Sequence, residues 1–172
     1  LGGLGHDFGA SERFVAVLAG TGVTAAAVCG ALFVPALVKR MPPLALYLAI
    51  GSVGALFTLS LLVLPRVPAV FALAMVCENV FQSAAFVVEA TIIFRTIGED
   101  NPLASTQFGL LQAATAFPIT YMQALDGQGY GVAGLSGALV TAAGLSLLAC
   151  GALLPLVLLW MRRERLLQTA PA

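Results

Sequence analysis

An all-α integral membrane protein is what this 172-residue sequence predicts, and composition and patterning both say so. Hydrophobic residues make up 60% and charged residues 9%, against about 25% charged in soluble domains, and the mean hydropathy is +1.00. The apolar residues gather into five runs. Each is long enough to span, since about 20 helical residues at ~1.5 Å each cross a ~30 Å hydrocarbon core. The formal net charge is zero, so neither nucleic acid nor an acidic surface is an indicated partner. The lipid bilayer is.

The elements follow in order. Residues 1–13 lack the basic and apolar regions of a signal peptide and are expected as an outer loop segment of part of a longer chain. Span one, 14–38, ends at Lys39-Arg40 and Met41-Pro42-Pro43. Span two, 44–64, is closed by Pro65-Arg66-Val67-Pro68. Span three, 68–97, stops at Gly98-Glu99-Asp100-Asn101-Pro102. Span four, 103–125, stops at Asp126-Gly127-Gln128-Gly129. Span five, 131–161, leads into Arg162-Arg163-Glu164-Arg165 and a tail, 162–172. Short connections make sequential spans antiparallel neighbours, and no sizeable domain lies outside the bundle.

Basic residues orient the bundle. Lys39, Arg40, Arg95, Arg162, Arg163 and Arg165 lie at or just after the ends of the odd-numbered spans, whereas Arg13 and Arg66 stand alone on the other side. The positive-inside rule therefore places the C-terminus in the cytoplasm of a multi-pass protein, with Trp160 as an interfacial anchor. Small residues suggest close helix packing: Gly137, Gly144 and Gly151 recur every seventh position, and Gly20/Thr24, Gly51/Ala55 and Gly54/Thr58 repeat a small-xxx-small spacing. Pro118 is the residue expected to bend span four. Cys29, Cys77 and Cys150 lie in apolar runs and read as small hydrophobes; no metal site or cofactor is indicated.

Span three carries the chemistry. Carboxylates are costly at membrane depth, so those that persist there are functional candidates. At about 100° per residue, Glu78, Gln82, Glu89 and Thr96 fall within ~40° of one another, with Phe71, Met75 and Phe86 on or beside the stripe and Asn79 about a quarter-turn away. Glu78 and Glu89 are roughly 16 Å apart along the axis. Desolvation disfavours a charged carboxylate, which suits Glu78 and Glu89 to proton exchange; the alternative is a structural pairing, with Glu89 and Arg95 anchoring a cytoplasmic-end gate. On span four, Ser105, Gln112 and Gln123 share a face. Asn79, Gln82, Gln112, Thr115 and Gln123 are candidates for a solute pathway, and Arg95, Thr106 and Gln107 for the gate. Interhelical hydrogen bonding accounts equally well for the amides, and Ser105 equally well for a helix cap.

Enzyme readings fare worse. Gly134-Leu135-Ser136-Gly137 matches the G-x-S-G string of rhomboid-type proteases, but His6 sits in the outer segment, away from any base position. Asp7, Asp100 and Asp126 are all expected in loops. No enzyme activity is expected, and a channel or structural subunit is the remaining rival class.

Glu78-Asn79, Ala84-Ala85-Phe86 and Ala104-Ser105-Thr106-Gln107-Phe108-Gly109-Leu110-Leu111, with Leu125-Asp126-Gly127 after them, resemble the AmpG-type muropeptide permeases and their acetyl-CoA transporter relatives within the major facilitator superfamily. The five spans would correspond to the last five helices of such a transporter. The resemblance implies two six-helix bundles, alternating access, proton-driven movement of a polar solute such as a muropeptide across the inner membrane, and a binding site between the halves. A sister group of siderophore-uptake permeases is the alternative substrate class. It also implies that His6-Asp7-Phe8-Gly9 follows the seventh helix, that the N-terminal half of the same protein is the missing partner, and that this polypeptide alone does not transport.

Overall fold

A computed structural model describes residues 2–98 and 101–169. Glu99 and Asp100, placed by the sequence in the turn after span three, lie outside the described residues, as do the last residues of the tail and the side chains of Arg163 and Arg165. The described residues contain helices and no strand. Four helices, Glu12–Val38, Pro43–Ser60, Pro68–Ile97 and Ala104–Arg162, are long and apolar enough to cross a membrane. That is one fewer than five, because the fourth and fifth expected spans belong to a single helical stretch.

The first crossing is built from α1 (Glu12–Val17) and α2 (Val23–Val38), joined without interruption by a π-helical turn at Leu18–Gly22. Ser11 caps α1 by accepting the Phe14 N–H at 3.3 Å, which satisfies one of the first-turn donors that no helix can pair internally. Prolines open the next two helices: Pro43 begins α3 (Pro43–Ser60) and Pro68 begins α4 (Pro68–Ile97). At a first helical position the missing N–H costs nothing. Gly98 ends α4 with φ of 78°, a backbone region that glycine enters without a Cβ penalty.

The last element, α5 (Ala104–Thr169), runs through Asp126-Gly127-Gln128-Gly129 without a loop and stays helical at Pro118. Its break lies further on, at Ala133 (φ −136°, ψ 22°) and Gly134 (φ 60°, ψ −147°). Eight residues of straight helix span ~12 Å, yet Gly129 and Gly137 lie with their backbones in contact, and Gly129 also meets Thr141. The break therefore folds α5 back on itself into two arms, 104–132 and 135–169. The turn expected at 126–129 is displaced because three glycines, at 129, 134 and 137, let the arms close directly. Helix also continues past 162, so the expected tail is an extension of the second arm as far as Thr169.

Helix α4 is the centre of the bundle. It packs against α2 on one side and α3 on the other; α3 packs in turn on α5, and α2 scarcely meets α3. Gly30 of α2 makes the first contact possible, since a Cβ there would lie 3.0 Å from Val80 Cα and clash with Ser83 and the Val80 carbonyl. Val34, Leu46, Ala84 and Val88 form a core beyond it. Gly51 of α3 meets Cys150 Sγ of α5, and Gly54 of α3 meets the Phe81 ring of α4. Of the expected glycine seam only Gly137 is in tight contact; Cβ atoms at Gly144 and Gly151 would meet open space.

The segment expected as an outer loop packs on the bundle as a strap. Gly2–Phe8 is a 3-10 helix whose Phe8 ring is 1% exposed, 5.7 Å from that of Phe71, in a core with Leu61, Ala74, Met75, Leu135 and Leu139. Burying a side chain of this size contributes about 1.5–3 kcal/mol toward holding the segment against the bundle end.

Candidate functional site

Glu78 lies ten residues into α4, ~15 Å from its start, and Asp126 lies seven residues before the α5 break, ~10 Å from it. Since Leu135, just past that break, shares a buried core with Phe71 near the start of α4, both acids sit in the same end half of the bundle. They line one cleft of about 300 Å³. Helix α4 contributes Glu78, Phe81, Gln82 and Ala85, α3 contributes Gly51, Gly54, Phe57 and Thr58, and the two arms of α5 contribute Met122 and Asp126 on one side and Ala142, Ala143 and Ser146 on the other. The small residues at 51, 54, 142 and 143 leave the space, and the helix carrying Glu78 and Gln82 turns one face into it.

The ionisable groups lining the cleft are both acids. Glu78 is exposed at the side of the bundle, whereas Asp126 Oδ1 is buried with no hydrogen-bond partner. Of the two hydroxyls nearby, Thr58 donates to the Gly54 carbonyl at 3.0 Å. Phe57 and Phe81 meet across the α3–α4 seam with ring centroids 5.9 Å apart and planes tilted by 56°, and both line the cleft.

Asp126 is the residue that reading the sequence missed. Asp126-Gly127-Gln128-Gly129 has the composition of a turn, and a carboxylate placed in a turn raises no question. In the folded chain it is a helical residue facing Glu78's cleft.

The other expected residues separate. The stripe on α4 is not one surface: Phe71 and Met75 are core under the strap, Glu78 and Gln82 line the cleft, and Glu89 lies outside it. Glu89 is within electrostatic reach of Tyr47 on α3, and its Oε1 is buried without a hydrogen-bond partner. Arg95 does not hold that oxygen; it lies six residues on, about 240° around the helix, and lines a separate hollow with Pro42, Pro43, Leu44, Thr96 and Trp160. The expected Glu89–Arg95 anchor is therefore not formed. Asn79 donates to the Met75 carbonyl of its own helix at 2.8 Å, and Thr115 to the Gln112 carbonyl at 2.8 Å. The Gln112 and Gln123 side chains are exposed along the first arm of α5 and do not line the cleft, where Met122 and Asp126 take the place expected for Gln112. Gln107 Oε1 accepts from Asn101 Nδ2 at 2.9 Å, and Asn101 Oδ1 accepts the Leu103 N–H at 2.9 Å; Asn101 rather than Ser105 thus organises the start of α5. Thr106 is exposed beside this turn. Ser136 of the G-x-S-G string accepts from Arg66 Nη2 at 3.4 Å.

No family model matches the chain, and neither a curated protein nor a solved structure matches it.

Proposed function

We propose that this chain forms the membrane-embedded part of a proton-coupled secondary transporter that moves a polar solute by alternating access. The observation that carries the reading is the meeting of Glu78 and Gln82 with Asp126 in one cleft among four helical segments. Carboxylates at membrane depth are costly and mark ion and solute pathways, and two of them on one cleft can exchange protons with whatever enters it. In this reading the two arms of α5 are separate crossings, giving five in all. They correspond to the last five helices of a major facilitator transporter of the AmpG-type group, with the first half of the same protein covering the exposed first arm. The protein sits in the inner membrane with its C-terminus in the cytoplasm.

Uptake by cells expressing the full-length protein tests this. Labelled anhydromuropeptide and a ferric siderophore are offered with and without a protonophore. Saturable, protonophore-sensitive uptake of either supports the reading and selects the substrate class, and Glu78→Gln is expected to reduce it. Conductance that rises linearly with voltage and does not saturate with solute would sink it in favour of a channel.

A further inference from the structure

We infer that the Glu78–Asp126 cleft binds the ammonium group of an amine-bearing solute, with the carbon chain next to that group lying against Phe57 and Phe81. The inference rests on the reading of this cleft as a solute pathway and adds the chemistry of the solute. Three observations converge on it.

The first is charge. Among the described residues lining the cleft, Glu78 and Asp126 are the ionisable ones, and no Lys, Arg or His from α3, α4 or either arm of α5 faces them. An anionic group would be repelled by both acids, whereas a cation is attracted to them.

The second is an unused acceptor. Asp126 Oδ1 is buried and accepts no hydrogen bond, and the Thr58 hydroxyl is committed to its own helix. An ammonium group brings three N–H donors and no acceptor, so it matches a cleft that presents acceptors.

The third is the aromatic pair. Phe57 and Phe81, with centroids 5.9 Å apart, line the same cleft as the acids. Aromatic faces attract cations and cover the methylenes beside them. The volume of about 300 Å³ is at the small end of ligand sites, ~300–1,000 Å³. It suits a short aminoalkyl group, so a large solute would place only that part of itself here.

Proton bookkeeping follows directly. Where a carboxyl of the cleft holds a proton, an incoming R–NH3+ displaces it, giving a carboxylate–ammonium pair and a free H+. No bond other than O–H is broken, and no oxidant or second reactant is required. Solute and proton therefore compete for the same oxygens.

The purified protein, weakly buffered and carrying no gradient, is titrated with n-hexylammonium chloride while a dye reports pH, with hexanol and hexanoate as controls. Saturable hexylammonium binding accompanied by proton release is expected, weakening as pH falls, with no proton release by hexanol. Glu78→Gln and Asp126→Asn are each expected to weaken it at least about tenfold, since removing one side of a charge pair costs more than that. Hexylammonium binding no tighter than hexanol to the unaltered protein overturns the inference whatever the variants do, and so does binding that neither substitution changes. The measurement is independent of transport: hexylammonium binding without uptake of any solute defeats only the transporter reading, whereas proton-driven uptake of a solute lacking an amine, with no hexylammonium binding, defeats only the ammonium site.

Discussion

Tyr130 donates its hydroxyl proton to Asp7 Oδ2 at 3.0 Å, linking positions 123 residues apart. The bond ties the N-terminal strap to the end of the α5 hairpin, directly above the core that Phe8 enters. One turn below Ala74 and Met75 in that core comes Glu78, so the strap and its core close the end of the bundle nearest the cleft.

Two substitutions separate the parts of this closure. Phe8→Ala removes a ring that is 1% exposed, a change that costs about 3–5 kcal/mol in a packed core. Amide hydrogen exchange over residues 2–10 is expected to rise to the level of free peptide while α3 and α4 stay protected. Tyr130→Phe removes only an exposed hydrogen bond, and exchange in the same segment is expected to rise modestly. Equal protection in Phe8→Ala and the unaltered protein would show that the strap is held by something other than its core contact.

Gly30 sets the spacing of α2 and α4. A Cβ there would stand 3.0 Å from Val80 Cα and closer still to Ser83 and the Val80 carbonyl, and backbone cannot yield as a side-chain tip does. Gly30→Ala is expected to lower stability by about 1–3 kcal/mol, read as a lower midpoint in detergent unfolding. Gly144→Ala and Gly151→Ala, with nothing within 4 Å of the added carbon, should leave it unchanged or raise it by up to about 1 kcal/mol through helix propensity. A loss at Gly144 matching that at Gly30 would restore the seven-residue seam that the spacing suggested.

Gly134 makes the hairpin. Its φ of 60° with ψ of −147° lies in a region essentially reserved for glycine, where other residues pay about 1–3 kcal/mol. Gly134→Ala is therefore expected to destabilise the closing of the two arms by that amount, although nothing lies within 4 Å of the new Cβ. Amide hydrogen exchange over residues 129–141 would report it as faster exchange than in the unaltered protein.

The sequence was legible where a single helix decides the outcome. Pro68 and Gly98 punctuate a long apolar run, so the bounds of α4, 68–97, are legible from the sequence, and the 3.6-residue period alone puts Glu78 with Gln82 on one face. It was misleading where two segments decide jointly. Asp126-Gly127-Gln128-Gly129 is a good local turn, but Gly129 against Gly137 and Thr141 rewards a later one, and no local pattern reports a contact eight residues away. The stripe from Glu78 to Thr96 failed for the same reason. Periodicity orders residues around α4, but α4 meets different neighbours along its length, so residues on one face need not share one surface.

The two glutamates of α4 should consequently behave differently. Glu89 Oε1 is buried without a hydrogen-bond partner and Arg95 lines another hollow, so a charge at Glu89 has nothing from that arginine to offset it. An amide of the same size is less costly to bury than an ionised carboxylate. Glu89→Gln is therefore expected to leave the thermal unfolding temperature in detergent unchanged or higher, and Arg95→Gln, a surface change, to alter stability by no more than about 0.5 kcal/mol. Adding the two changes together should give the sum of the single effects, because residues that do not interact behave additively. A double mutant more stable than that sum by about 1 kcal/mol or more would reveal coupling and revive the ion-pair anchor between them. Glu78→Gln, by contrast, is judged by hexylammonium binding and proton release, and a Glu89→Gln protein that retains both would confine the cation chemistry to the Glu78–Asp126 cleft.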